Sequence, residues 1–332
     1  MREYLKFYID GRWVDPIEAR TVEVTNPATE AVSGRIALAS PADVNKAVAA
    51  AKKAFASWSQ TTRAQRLDLL QAIQAEYSKR QNELGAAITE EMGAPNTLGC
   101  GFHVALGGGH LATAIEVLKH FKFEELHGQT LITKEPIGVC ALITPWNWPM
   151  NQIAVKVFPA LATGNTMVLK PPQLAPYSAQ IFTEILHAAG VPAGVFNLLQ
   201  GSGAVVGTAL STHPDVDLVS FTGSESVGVE IAKNAAPTVK RVCQELGGKS
   251  AFIVLDDADL AKNVAGATGG MMINSGQTCS AGSRLLVPKA RLNEAIAAAR
   301  DAANAVTVGD PAGAFAMGPV VSKSQYTEIQ RY

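Results

Sequence analysis

Charge is scarce in this 332-residue sequence and nearly balanced: Asp, Glu, Lys and Arg make up 17% of it, with 28 basic residues against 29 acidic ones. The net charge of -1 excludes a basic surface built for nucleic acid and an acidic solvating tail, leaving a small neutral ligand or a neutral partner as the default. Cysteine is sparse as well. Cys100, Cys140, Cys243 and Cys279 form no C-x-x-C pair and are too few to staple a chain of this length, so they read as free thiols in a reducing compartment. No apolar run approaches the roughly 18 to 20 uninterrupted residues of a membrane-spanning helix. The charged opening MREYLKFYIDGRW lacks the apolar core and cleavage site of a secretory signal. These absences predict a cytoplasmic protein that needs no membrane and no nucleic acid.

Apolar residues make up 47% of the chain and glycine supplies 29 positions, a balance suited to α/β enzymes whose tight turns approach ligands through bare backbone. Asp10-Gly11 between apolar flanks predicts a β-hairpin. Ser40, Pro41 and Asp43 open a predicted helix with Val48, Ala51, Phe55 and Trp58 on one face; Thr62 and Gln65 open a second, with Leu67, Leu70, Ile73 and Tyr77. From about residue 137 strands are predicted at Val139 to Thr144, Thr166 to Lys170, Val195 to Leu199, Asp217 to Phe221 and Ala251 to Leu255, with helical stretches between most of them. That order gives successive βαβ units and an α/β fold with a largely parallel sheet. Phe121 to Glu135 alternates apolar and polar residues around His127-Gly128, which reads as a two-stranded excursion, either a surface hairpin or an arm that pairs with another subunit.

Ligands of open parallel sheets bind beyond the carboxyl ends of the strands, where helix N-termini offer free N–H groups to phosphate. Two glycine-rich turns lie in such places. In Gly201-Ser202-Gly203-Ala204-Val205-Val206-Gly207 the third glycine comes one residue too late for the G-x-G-x-x-G fingerprint. In Phe221-Thr222-Gly223-Ser224-Glu225-Ser226-Val227-Gly228 a strand runs into a helix through Gly223 and Ser224; the turn suits a pyrophosphate, and an ordinary serine-capped helix start would read the same. Lys170 ends the run TMVLK at the same edge, as a phosphate-directed cation or a solvated strand end.

Cys279 lies in the small polar stretch Asn274-Ser275-Gly276-Gln277-Thr278-Cys279-Ser280, unlike Cys140 in the apolar run GVCALI. An accessible thiol is a candidate nucleophile once a base, cation or helix N-terminus raises its thiolate fraction. Glu245, followed by Leu246 and the pair Gly247-Gly248, is a candidate base or a surface carboxylate. Asn147, in Thr144-Pro145-Trp146-Asn147-Trp148-Pro149, is a rigidly framed amide able to donate to a developing oxyanion. Cys100, His103 and His110 lack the further ligands of a metal site and read as helical packing; no metal is expected.

TPWNWP, VLKPPQ, FTGSESVG, QELGGKS and GQTCSAG occur in the order and approximate spacing of the aldehyde dehydrogenase superfamily, which the chain resembles from its N-terminal hairpin to Tyr332. The resemblance implies a Rossmann-like parallel-sheet cofactor domain over residues 1–120 and 138–245, an oligomerisation hairpin over 121–137, and a second, incomplete α/β catalytic domain over 246–332. It implies oxidation of a small-molecule aldehyde to a carboxylic acid through a cysteine thioester, with Cys279 as nucleophile, Glu245 as general base, and Asn147 and the Cys279 N–H as oxyanion donors. NAD would be held by Trp146, Lys170, Gln173, Gly201 and the turn Gly223, Ser224, Glu225, Ser226, Val227 and Gly228.

Gln173 stands where many relatives carry Glu, and its lack of negative charge extends the expected cofactor range to NADP. The family's E-x-F-G-P motif and C-terminal strand are absent, since no Glu stands three residues before Gly318-Pro319. The sequence therefore reads as C-terminally truncated. That reading places the family's homo-oligomeric state and the turnover of this chain in question, with a non-catalytic cofactor-binding or assembly fragment as the alternative function.

Overall fold

The computed structural model describes residues 1–331. Its centre is a seven-stranded sheet in the order Arg241–Leu246, Leu218–Gly223, Val139–Ile143, Thr166–Lys170, Phe196–Leu198, Phe7–Ile9 and Arg12–Val14. The first five strands of that order are parallel; the last two are the N-terminal hairpin, added antiparallel along the Phe196–Leu198 edge. In chain order the sheet grows one way from Val139–Ile143, then returns to that strand's other side with Leu218–Gly223. Its direction of growth thus reverses between these two neighbours, and in open α/β sheets a crevice forms at such a reversal.

Strand periodicity divides the core in two. Cys140 and Leu142 point into one cluster with Met167, Leu169, Phe158 and Phe182, while Val139, Ala141 and Ile143 point into the other with Val44, Val48, Val168 and Val219. Covering both faces is what a parallel sheet of continuous apolar runs requires. A third, small cluster of Val254, Leu260, Val264 and Ala295 lies under the parallel pair Ala251–Ile253 and Arg284–Leu286 and the helices Leu260–Met272 and Leu292–Asn304.

The N-terminal helices form where their caps dictate. In Pro41–Trp58 the Ser40 Oγ accepts the Asp43 N–H at 3.3 Å and the Asp43 carboxylate accepts the Ser40 N–H at 2.9 Å, and Thr62 and Gln65 repeat the exchange before Arg63–Lys79. Each exchange satisfies orphan donors of the first helical turn. Val48, Ala51, Trp58, Leu70, Ile73 and Tyr77 are buried, whereas Phe55 and Leu67 are half-buried at the margins.

Strand ends differ by one or two residues from the sequence expectation. The fourth predicted strand begins at Leu218, because the Asp217 carboxylate is used on the Val139 N–H at 2.8 Å, and it runs on to Gly223, because Thr222 and Gly223 pair with Glu245 and Leu246. Val195, Leu199 and Thr144 fall just outside their strands, and the last of the five stops at Ile253.

Glu124–His127 and Thr130–Thr133 form the expected hairpin, turning at Gly128 and exposing Leu126, Leu131 and Ile132. Thr97–His120, a π-helical turn continued by an α-helix, is long and apolar enough to cross a membrane by length and composition. His103, Val104, Gly107, Leu111, Ile115 and Leu118 are buried, a set at three- and four-residue spacing that packs one face of the segment against the protein.

Candidate active site

The crevice at the sheet reversal is a cavity of about 520 Å3, lined among others by Asn147, Ser224, Gly248, Thr278 and Cys279. Asn147 follows the strand Val139–Ile143 and Ser224 follows its neighbour, so the cavity sits at the carboxyl end of the sheet. Asn147 and Cys279 line the same cavity, and a direct bond fastens residue 147 two positions before the thiol: the Asn147 Nδ2 donates to the Gln277 carbonyl at 3.0 Å. Cys279 is exposed to the cavity, and among the described residues its N–H has no hydrogen-bond partner.

The thiol loop owes its shape to a reversal of backbone handedness. After the helix Leu260–Met272, Asn274, Ser275 and Gly276 take φ values of 58°, 57° and 73°. Two non-glycine residues in that region cost of order 1–3 kcal/mol each and persist only where their surroundings hold them there. The holding bonds are present. The Asn274 Nδ2 donates to the Asn147 carbonyl at 2.7 Å and to the Gln277 carbonyl at 3.3 Å, Ser275 Oγ donates to the Gly318 carbonyl at 2.9 Å, and Gln277 Nε2 donates to the Asn274 carbonyl at 3.1 Å. The Trp148 indole N–H donates to Thr278 Oγ1 at 3.1 Å. Residues 147 and 148 therefore grip the loop at 277 and 278, immediately before the thiol.

Glu245 is exposed near the end of Arg241–Leu246, level with Thr222 on the neighbouring strand, and its side chain is not part of the cavity lining, although residues 246–249 are. Its negative charge acts on Lys156, a lysine of the helix Pro149–Ala162 that sequence reasoning missed. Burial lowers the Lys156 ammonium, and Cys243 and Glu245 act in the opposite direction; its Nζ donates to Ser220 Oγ at 2.8 Å. A lysine inside the apolar run IAVKVF was the available signal.

The phosphate-directed residues are arranged unequally. Ser224 occupies the N-cap position of Glu225–Ala235 yet makes no capping bond; its hydroxyl lies 3.3 Å from that of Ser226. The plain serine-capped turn is thus not what forms, and the first N–H groups of this helix lack a side-chain cap. Glu225, Ser226 and Val227 are exposed and Gly228 is buried, where a Cβ would come within 2.7 Å of Leu246. Lys170 is buried rather than solvated: its Nζ donates to the carbonyls of Pro171 at 2.8 Å and Gly201 at 3.2 Å, and burial lowers its pKa to about 8. Gly201 is needed for packing, since a Cβ there would lie 2.4 Å from Val206, whereas Gly203 and Gly207 face open space. Trp146 lines the cavity with Asn147. Gln173 lines a separate cavity with Glu23, Glu30, Lys323 and Tyr326.

The model of the aldehyde dehydrogenase family matches residues 13–332. The chain belongs to that family. It is 51% identical to a 3-succinoylsemialdehyde-pyridine dehydrogenase of a Pseudomonas species over 99% of its own length and 70% of the relative's. Among solved structures, aldehyde dehydrogenase C of Pseudomonas syringae, a cysteine-to-alanine variant in complex with NAD+ and octanal, superposes with a TM-score of 0.97 at 47% identity, over 98% of this chain and 67% of that one. An aldehyde dehydrogenase of Bartonella henselae also superposes with a TM-score of 0.97, at 45% identity, over 100% of this chain and 70% of that one. Aldehyde dehydrogenase membership and the mixed α/β fold agree with the sequence expectation.

Proposed function

We propose that this aldehyde dehydrogenase oxidises an aldehyde to a carboxylic acid through a thioester on Cys279, with NAD as cofactor. The observation that carries the reading is the Asn147–Gln277 bond, which fastens an amide donor to the loop of the exposed thiol, whose N–H has no partner among the described residues. Cys279 attacks the aldehyde carbon as thiolate, and its sulfur–carbon bond forms as the carbonyl oxygen takes up negative charge. Asn147 has a second N–H beyond the one used on Gln277, and together with the Cys279 N–H it stabilises that oxygen. NAD, when bound, supplies the hydride acceptor that the oxidation needs. Glu245, exposed one residue before the cavity-lining Leu246, serves as the base by turning its side chain into the cavity, where it takes a proton from the water that releases the acid from Cys279.

The residues present fit NAD. The first N–H groups of the helix after Ser224 favour a pyrophosphate, and the open space at the exposed Gly203 admits a ligand against bare backbone. Trp146, Lys170, Gln173, Gly201 and residues 223–228 would hold it. Gln173 itself carries no charge to repel a 2′-phosphate, and Lys323 shares the cavity with Glu23 and Glu30; the neutral Gln173 is what supports use of NADP as well.

The separate small core at Val254 to Ala295 supports a catalytic unit over 246–332 beside a cofactor unit over 1–120 and 138–245. The exposed apolar hairpin supports an oligomerisation arm at 121–137, and four unpaired cysteines support a reducing, cytoplasmic setting.

The test is NADH formation by the purified chain with a panel that includes octanal and aromatic semialdehydes, with mass spectrometry of the Cys279 peptide. An acyl adduct on Cys279 that disappears in Cys279→Ala is expected. An adduct of equal yield in that variant would overturn the assignment, and NAD binding without any oxidation would favour the assembly-fragment reading.

A further inference from the structure

We infer that His103 is a positioning residue for the thiol loop, holding Asn274 with its ring edge and Trp148 with its ring face so that Asn147 and Cys279 keep their relative placement. The inference rests on the roles given above to Asn147 and Cys279. His103 is the last residue of the π-helical turn Thr97–His103 and is completely buried. A π turn carries one residue more per hydrogen-bonded loop than an α turn and so re-aims the side chains that follow it.

The ring lies flat on Trp148, with centroids 4.2 Å apart and planes at 20°, while Phe102 meets the same indole edge-on at 5.7 Å. His103 Nε2 stands 3.4 Å from Asn274 Oδ1. The Asn274 amide nitrogen is committed to the carbonyls of Asn147 and Gln277, so its oxygen is the atom presented to His103. Nε2 must then be the protonated nitrogen, and Nδ1 is a bare acceptor with no partner among the described residues. Burial lowers the pKa to about 4, which keeps the ring neutral at working pH.

A histidine serving only to fill space would be bettered by Phe or Leu, which leave no buried acceptor unpaired. This one spends its single donor on the strained residue that opens the thiol loop. Its other contact, Trp148, holds Thr278. The two routes reach the loop on successive residues, at Gln277 through Asn274 and at Thr278 through Trp148.

Three variants of the full chain separate positioning from packing. His103→Phe keeps the stacked ring and removes the donor; His103→Gln keeps a donor; Asn274→Gly removes the acceptor together with the Nδ2 bonds to Asn147 and Gln277 while tolerating positive φ, and serves as the background in which the His103 donor has nothing to hold. Three readouts are compared in the folded state: kcat and KM for a turned-over aldehyde, and the rate of Cys279 alkylation by iodoacetamide. His103→Phe is expected to lower kcat about tenfold, the scale of one charge-neutral hydrogen bond, with KM within about twofold. It should also change the alkylation rate at least about threefold, with His103→Gln recovering most of both effects. Combined with Asn274→Gly, His103→Phe should cost nothing further. Unchanged kcat and alkylation in His103→Phe, or multiplicative losses in the double variant, would overturn the inference. A chain that turns over no aldehyde would defeat the proposed function but not this test, because Cys279 alkylation still decides it. If His103→Phe does not fold, His103→Gln and the near-isosteric His103→Met, which has no donor, decide: an alkylation rate preserved in the first and changed at least about threefold in the second supports positioning, and equal rates in the two oppose it.

Discussion

Asn147 and Gln277, 130 positions apart in sequence, are joined by a 3.0 Å bond from the amide of one to the backbone carbonyl of the other. Through that bond, the residue that ends the first βα connection of the parallel sheet is fastened to the loop that presents Cys279. Loss of the amide should therefore act twice, on the oxyanion and on the loop. Asn147→Ala is expected to lower kcat by about 10²- to 10³-fold, the scale of one lost oxyanion donor. Cys279 alkylation, which involves no oxyanion, should change as well; steady-state kinetics and alkylation rates check the two effects separately.

Lys170 offers a test of what a buried cation is for. Its ammonium is lowered to about 8 by burial, so below that pH the native state carries a desolvation burden that fades as the pH rises through 8 toward the unfolded value. Lys170→Met lifts that burden and leaves two carbonyls short of a donor, and the opposing effects should keep stability at pH 7 within about 1 kcal/mol of the parent. NAD affinity should fall about tenfold, worth 1.4 kcal/mol. Titration calorimetry with unchanged affinity would remove Lys170 from the cofactor site.

The two glycines of the 201–207 turn should separate packing from binding. Gly201→Ala drives a Cβ into Val206 and is expected to cost about 1–3 kcal/mol of stability, the usual range for overpacking. Gly203→Ala meets no protein atom within 4 Å, so its melting temperature should hold while NAD binding weakens. Thermal melts of both variants, with and without NAD, decide the matter.

Glu91 governs an acid-side pH effect. Buried where its carboxylate accepts the N–H groups of Tyr177 and Ser178 at the start of Tyr177–Ala188, it is pushed up to about 7 by desolvation. A carboxyl raised above its unfolded value makes the native state hold the proton longer, so its contribution to stability is full at low pH and is lost as the pH climbs through about 7. Glu91→Gln should flatten that decline. Urea midpoints at pH 5, 6, 7 and 8 measure it, and parallel profiles for the two proteins would exclude Glu91 as the cause.

Much of this architecture was written locally. Ser40 with Asp43 and Thr62 with Gln65 are capping pairs three residues apart, and Thr166 to Lys170 is an apolar run of strand length, so neither needs distant information. Four of the five motif-bearing segments, all but VLKPPQ, line the crevice, because turns at a sheet's carboxyl edge are local features. What depends on the third dimension was not legible. Lys170 reads as a strand-end lysine until the Gly201 carbonyl is brought over it, and nothing near Gln173 tells that Glu23 and Lys323 share its cavity. His103 and Asn274 are 171 positions apart, and neither segment alone shows that they meet. Asn274 did carry one readable sign, since Asn is among the few side chains that tolerate positive φ.

The left-handed run at Asn274 and Ser275 also shapes how this chain would respond to mutation and selection. Glycine relieves backbone strain at either codon, so a screen for thermal resistance should enrich it there. The same change deletes the amide bridging Asn147 to Gln277, or the hydroxyl resting on Gly318, and a screen for turnover should purge it. The thiol loop is thus a place where robustness and activity are selected in opposite directions.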